Sequence, residues 1–259
     1  MGIVNVTPDS FFAGARTEAT EAAIVRGRAL FEAGCDVVDV GGESTRPGAE
    51  AVTLDEELAR VVPVVRSLAA YGPVSVDTRT EQVARAAASA GATIINDVSS
   101  LLLEVAAELA VGYVAMHSKG DPKTMQLDPT YEDVVAEVAA YLEGAASKAK
   151  DLGVQPLWID PGIGFGKTVE HNLTLLANCR RFVELAQNYG AGVLVGTSRK
   201  RFLSALGSEE LDVDERLEGS IATEAWAMLE GVSIVRVHDV AVAVQLRELL
   251  MRPVEEVVS

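Results

Sequence analysis

The chain has 259 residues and a mass of 27.3 kDa, a length that suits one large α/β barrel, and no linker divides it. A formal net charge of −16 and a pI near 4.6 argue against general binding to nucleic acid or to membrane surfaces, both polyanionic partners that such a surface repels. No apolar stretch is long enough to span a bilayer, and the first residues read as a strand rather than a basic leader, so a soluble cytoplasmic protein is expected.

Eight short apolar runs recur along the chain, at 2–5, 36–41, 74–77, 93–96, 112–117, 157–160, 192–196 and 234–238, each stopping at a polar residue, a glycine or a charge. Longer stretches with helical spacing of apolar residues separate them. The alternation of strand and helix predicts a single-domain (β/α)8 barrel over residues 1–259, whose chemistry sits on the loops that follow the strands.

Thr53-Leu54-Asp55-Glu56 has capping-box spacing and opens the second helix, with Leu58, Val61, Val62, Val65 and Leu68 expected to face the sheet. Pro63 falls inside that pattern and is expected to kink or shorten the helix. Thr130, Glu132 and Asp133 start a long acidic helix through about Lys150, read as a solvated face. Cys35 and Cys179 have neither metal-ligand nor redox spacing and read as buried thiols.

Asp77, Asn96 and Asp160 end the third, fourth and sixth runs and should converge at the barrel mouth. A lone Asp after a strand is a turn former or a cap, but three such groups at one mouth suit a ligand whose edge offers several N–H donors, such as an aminopyrimidinone ring. The same groups could hold a metal, although the scarcity of nearby histidines argues against a transition-metal cage. Thr197-Ser198-Arg199-Lys200-Arg201-Phe202 follows the seventh run, and Arg236 and His238 lie two apart on the eighth and share a face. Cations near the positive end of a helix suggest that an anion offsets Arg199 and Arg201, and barrels commonly bind phosphate after strands seven and eight. The segment from Asp160 to Thr168 ends in Gly-Lys-Thr, but Pro161 stands where a nucleotide-binding loop needs its first glycine. Its glycines instead let the backbone turn tightly beside a flat ligand, with Phe165 as an apolar wall.

Taken in order, Asn5-Val6-Thr7-Pro8-Asp9-Ser10-Phe11, Asp39-Val40-Gly41-Gly42-Glu43-Ser44-Thr45-Arg46-Pro47-Gly48, Ser75-Val76-Asp77-Thr78, Ile95-Asn96-Asp97-Val98-Ser99, the Asp160 to Thr168 segment, Ser198-Arg199-Lys200 and Arg236-Val237-His238-Asp239 closely resemble the dihydropteroate synthase family of folate biosynthesis. The resemblance implies condensation of 6-hydroxymethyl-7,8-dihydropterin pyrophosphate with p-aminobenzoate, giving 7,8-dihydropteroate and pyrophosphate. It also implies Mg2+, a homodimer and competition by sulfonamides that mimic p-aminobenzoate.

Carried over by motif, Asp77, Asn96, Asp160 and Lys200 resemble the pterin-binding set, with Met116 and Phe165 as walls and Gly196 leaving room. Asn5 resembles the residue near Mg2+ and pyrophosphate, where Arg236 and His238 would hold the leaving group. Phe11, Thr45, Arg46, Pro47 and Arg201 fall on positions that approach p-aminobenzoate. Asp77, Lys200, Arg236 and Phe11 are the catalytic set that the resemblance implies. Much carbon–oxygen cleavage at the pterin methylene would precede attack by the neutral amine, so no protein nucleophile is required.

Three departures stand against the family pattern. Phe12 and Ala13 replace a serine and an aspartate of the first loop, the chain starts almost on Asn5 without the short leader of many members, and Met116-His117-Ser118-Lys119-Gly120 is a variant of a variable loop. Two alternatives remain: a pterin-binding paralogue with altered or lost synthase activity, for which Ala13 speaks, and a pterin-binding methyltransferase domain, which has no use for the Ser-Thr-Arg-Pro-Gly loop.

Overall fold

A computed structural model of the chain describes residues 1–6, 13–43, 52–120, 125, 127–205 and 210–251, with side chains of the first helix from residue 18 onward. The first half runs β1 (Gly2–Asn5), α1 (Ala13–Glu32), β2 (Val38–Gly41), α2 (Leu54–Leu68), β3 (Val74–Asp77), α3 (Glu81–Ala90), β4 (Ile94–Asp97) and α4 (Leu103–Leu109). The second half runs β5 (Gly112–Met116), α5 (Val134–Asp151), β6 (Leu157–Asp160), α6 (Val169–Ala177), α7 (Cys179–Gln187), β7 (Gly192–Val195), α8 (Arg201–Ser204), α9 (Leu217–Leu229), β8 (Ile234–Val235) and α10 (Val240–Leu250).

The eight strands pair in parallel in sequence order, β1 through β8. The eighth run, expected over 234–238, is a ladder of two residues because its partner changes. Arg236 N–H still bonds to the Val195 carbonyl at 2.9 Å, but Val237 then bonds to the Met1 carbonyl at 2.9 Å and bridges Gly2. That change of partner closes the sheet into the expected barrel.

Strand parity divides the apolar residues between two cores. Val4, Val38, Val40, Val74, Val76, Ile95, Tyr113, Ile159, Val193 and Val237 face outward and pack under the helices. Met1, Ile94, Val114 and Leu194, with Val37, Trp158 and Ile234 against them, form a smaller cluster that plugs the barrel interior. Each of these plug residues lies an even number of positions before a residue of the mouth, polar or small in every strand except β5, where it is Met116. The plug is therefore the floor on which the mouth groups stand.

The cap of α2 forms as its spacing requires. Thr53 Oγ1 accepts from Glu56 N–H at 3.4 Å, and the Glu56 carboxylate accepts from Thr53 N–H at 3.4 Å. The buried face is Val61, Val64, Val65 and Leu68, with Leu58 and Val62 only half-buried and Glu57 unexpectedly beneath. Glu57 is held by the hydroxyls of Thr78 at 2.6 Å and Thr80 at 3.2 Å. Pro63 does not shorten the helix, which continues to Leu68. It sits on the exposed side, where the Ala59 carbonyl that loses an N–H partner can turn to water. The long acidic helix begins at Val134, where Asp133 caps it by accepting from Val135 and Ala136 N–H at 3.0 and 2.9 Å. Cys179 is buried as expected, whereas Cys35 is half-buried and donates to the Val37 carbonyl at 2.9 Å.

Removing the α2 cap tests this local reading. Thr53→Ala should cost about 1 kcal/mol and lower the melting temperature by about 2–4 °C, measured by thermal circular dichroism. An unchanged midpoint would show that the cap contributes nothing to global stability.

Candidate active site

The inward faces of the strands carry the expected groups to one mouth. Asn5 ends β1 and is exposed, Asp77 ends β3 half-buried, and Asn96 of β4, Met116 of β5 and Asp160 of β6 are buried. Gly41 lies between Asn5 and Asp77, since a Cβ built there would stand 3.8 Å from Asn5 Oδ1 and 3.5 Å from Asp77 Cβ. A Cβ at Gly196 would stand 3.6 Å from Arg236 Cβ and 3.9 Å from Lys200 Nζ, so this glycine leaves the space between those two cations open.

Arg236 is the electrostatic centre. Its Nε donates to Asp39 Oδ2 at 2.6 Å and its Nη2 to Asp77 Oδ2 at 2.7 Å. Asn96 Nδ2 donates to the same Asp39 oxygen at 2.9 Å. Asp39 is completely buried, and its Oδ1 and the Ser75 hydroxyl, opposite it in register, have no hydrogen-bond partner among the described residues. Burial pushes the Asp77 carboxyl up to about 7 against the pull of Arg236, and the charges of Asp39, Asp97 and Glu57 push the same way. The guanidinium is itself held above its ordinary range by Asp39 and Asp77, despite desolvation.

Asp160 and Lys200 form the opposite wall. Asp160 Oδ1 accepts from Gly162 N–H at 2.7 Å. Burial raises its pKa, while Lys200, that N–H bond, Lys167 and Arg236 oppose the rise. Lys200 donates to the Ile163 carbonyl and stands 4.5 Å from the centroid of the Phe165 ring. Burial lowers its ammonium to about 8, and Asp160 and Asp77 resist that shift. His238 is fixed beside them, its N–H and Nδ1 lying 3.1 and 3.2 Å from Ser198 Oγ, and its carbonyl accepting from Arg26 at 2.7 Å.

One expectation about the cations fails. Arg199 is not offset by an anion at a helix end: it forks onto Asp239 with both bonds at 3.0 Å and reaches Asp214 at 2.6 Å, and the helix that follows is only four residues long. The Arg201 side chain is 85% exposed and pairs with Glu210 at 3.6 Å. Phe11, Thr45, Arg46 and Pro47 lie outside the described residues.

The arrangement gathers carboxylate and amide groups around Arg236 and Lys200 at one mouth of the barrel. Known proteins resemble the chain along its length. A family model described as pterin binding enzyme matches residues 1–238. The dihydropteroate synthase of Escherichia coli K12 is 43% identical, with 100% of this chain and 91% of the relative covered. The chain belongs to the dihydropteroate synthase family. Among solved structures, the Xanthomonas albilineans dihydropteroate synthase with 4-aminobenzoic acid superposes with a TM-score of 0.87 at 46% identity, covering 97% of this chain and 91% of that one. The Thermus thermophilus dihydropteroate synthase in complex with 6HMPPP superposes with a TM-score of 0.80 at 39% identity, covering 100% and 93%.

Within this member of the dihydropteroate synthase family, sequence reasoning passed over Asp39, although the quoted motif begins with it. The signal was available: Asp39 stands two residues before Gly41, so parity places both on the inner face. It also passed over Asn172, whose Oδ1 accepts from Gly164 N–H at 2.7 Å and so holds the glycine loop.

That loop rests directly on its neighbour. Gly162 has φ +67° and Gly166 φ +62°, and a Cβ at these positions would come within 1.8 Å of the His117 carbonyl oxygen and 2.2 Å of the Lys119 carbonyl oxygen. The glycines are required by backbone contact, as the sequence suggested for a tight turn. Gly162→Ala should therefore cost about 1–3 kcal/mol or more by forcing the two loops apart. Chemical denaturation should show that loss, and an unchanged midpoint would mean that the loops are not in contact.

Proposed function

We propose that this mouth is where the chain, a transferase of the dihydropteroate synthase family, joins 6-hydroxymethyl-7,8-dihydropterin pyrophosphate to p-aminobenzoate. Residues 1–259 act as one pterin-binding barrel, in the cytoplasm and as a homodimer. The observation that carries the site assignment is the convergence of Asp77, Asn96, Asp160 and Lys200 on one inner face with Arg236 among them. The pterin reading is supported by chemistry: a ring edge rich in N–H donors matches carboxylate oxygens, and Lys200 supplies a donor for the ring's acceptors. Met116 and Phe165 provide the apolar walls.

Arg236 and His238 would hold the pyrophosphate as charge builds on it. Arg236 already spans two carboxylates, so it is oriented before substrate arrives and costs little to reorganise. Loss of the leaving group puts positive charge on the pterin methylene and ring, which the Asp77 and Asp160 carboxylates would offset. The amine of p-aminobenzoate is neutral at pH 7 and needs positioning rather than activation, the task assigned to Phe11, Thr45, Arg46, Pro47 and Arg201. Sulfonamides that mimic p-aminobenzoate would compete there.

Among the described residues no three of His, Cys, Asp and Glu group as a metal cage. Asn5 instead offers one exposed amide oxygen at the mouth, facing Asp77 across Gly41. That donor fits Mg2+, which takes few protein oxygens and otherwise binds water and substrate phosphates. When bound through Asn5, Mg2+ would neutralise charge on the pyrophosphate.

Incubation with pterin pyrophosphate, p-aminobenzoate and Mg2+ should yield 7,8-dihydropteroate. No product from folded protein would overturn the assignment. Asp77→Asn and Asp160→Asn should each weaken pterin binding by roughly 1.5–3 kcal/mol in calorimetry, because the amide replaces a charged acceptor. Equal affinity in both variants would place the pterin elsewhere.

Pyrophosphate should raise the melting temperature of the wild type by binding the folded state. Arg236→Ala should lose most of that shift. It should also melt earlier without ligand, by a cost of about 3–5 kcal/mol, since Asp39 would be left as a buried charge without its cation. A full pyrophosphate shift in the variant would move the anion site away from Arg236.

A further inference from the structure

The Gly-Lys-Thr run after β6 takes no part in the chemistry above, yet Lys167 is 3% exposed and its ammonium is fully engaged. Lys167 Nζ donates to the Gly162 carbonyl at 2.9 Å, the Phe165 carbonyl at 3.0 Å and the His117 carbonyl at 3.3 Å, and lies 3.0 Å from His117 Nδ1. Burial and the nearby ammonium push the His117 imidazole down to about 3, so the ring is neutral and Nδ1 is the acceptor. The His117 ring is itself wedged edge-on against Tyr141 at 5.0 Å and tilted against Tyr131 at 6.1 Å. Tyr131 then donates to the Gly166 carbonyl at 3.0 Å.

We propose that Lys167 is a positioning residue of the pterin pocket: its ammonium ties the loops after β5 and β6 into one block, and so fixes Asp160 and the Phe165 ring against Met116. The proposal rests on the pterin reading of the mouth. Two lysines clamp the same loop from opposite sides, Lys167 through the Gly162 and Phe165 carbonyls and Lys200 through the Ile163 carbonyl and the Phe165 ring. Only the second faces the ligand. The first replaces the solvent that carbonyls turned into the protein interior would otherwise need.

The ammonium also acts on Asp160 through space. Lys167 favours the ionised Asp160 carboxyl, together with Lys200 and Arg236, against burial. The charged and titratable groups around this pair are His117 from the β5 loop, Lys200 after β7, Arg236 after β8 and Cys179 at the start of α7. Burial lowers the Lys167 ammonium to about 7, and Asp160 resists that shift. Pterin affinity falls as pH falls and the two carboxyls of the pocket, Asp77 and Asp160, gain protons. Without the ammonium the Asp160 pKa rises, and its part of the acid limb moves to higher pH.

The test is calorimetry of pterin pyrophosphate binding across pH, with steady-state kinetics, on the wild type, Lys167→Met and Lys167→Gln. Lys167→Met keeps the length and removes the donors and charge. It should raise the pterin Kd at least about tenfold, leave KM for p-aminobenzoate within about twofold, and shift the acid limb upward by about half a pH unit or more. Lys167→Gln, which keeps N–H donors without charge, should lose less affinity but show the same shift of the limb. Unchanged pterin affinity and an unchanged limb in a folded variant would overturn the proposal, as would failure of both variants to fold, which would mark Lys167 as a residue of overall stability. A wild type that does not bind the pterin would instead overturn the reading of the pocket.

Discussion

Side chains on a strand alternate, and that period of two is the constraint on which the rest of the barrel depends. Met1 and Asn5, Val37 and Asp39, Ile94 and Asn96, Val114 and Met116, Trp158 and Asp160, Leu194 and Gly196, and Ile234 and Arg236 occupy the inner face as floor and mouth of their strands. A slip of one residue in any strand would put a polar mouth group under the helices and an outer valine into the interior. The apolar plug and the site are thus placed by one decision. A polar group can be nearly dry at the mouth because apolar side chains fill the barrel two residues below it.

Dryness explains the behaviour of the charges. The molecule carries a large acidic excess, yet its mouth holds Arg236 and Lys200 among Asn5, Asp39, Asp77, Asn96 and Asp160. With little water, each charge depends on a counter-charge built into another strand. Asp39 has no solvent exposure, and Arg236 and Asn96 both donate to one of its oxygens. Asp77 near 7 and Lys200 near 8 show burial outweighing the counter-charges that oppose it. Such groups change state in response to modest new charge, which suits a site where charge separates during the reaction.

Legibility followed this division. The eight strands and the convergence of Asp77, Asn96 and Asp160 could be read because alternation and strand ends are local patterns. Arg199 was misread for the opposite reason: its partners Asp214 and Asp239 are distant in sequence, and the four-residue helix after it has no dipole to oppose. Asp39 escaped because it precedes its strand end by two residues, so the rule that looks only at terminators passes over it. Pro63 was judged by its effect on the helix ladder, whereas its exposed side of α2 decides the outcome.

The Gly-Lys-Thr run shows how residues of a phosphate-binding pattern can serve another purpose. In a phosphate loop the glycines turn N–H groups toward an anion and the lysine reaches it. Here Gly162 and Gly166 take positive φ to let one loop lie on another, and the carbonyls rather than the amides face the lysine. Thr168 accepts from His171 N–H at 3.1 Å and caps α6. The direction of the peptide groups separates the two cases: carbonyls turned inward attract an ammonium and would repel a phosphate. Pro161 marks the difference in the sequence, since it occupies the place of the first glycine and removes an N–H donor that an anion would need.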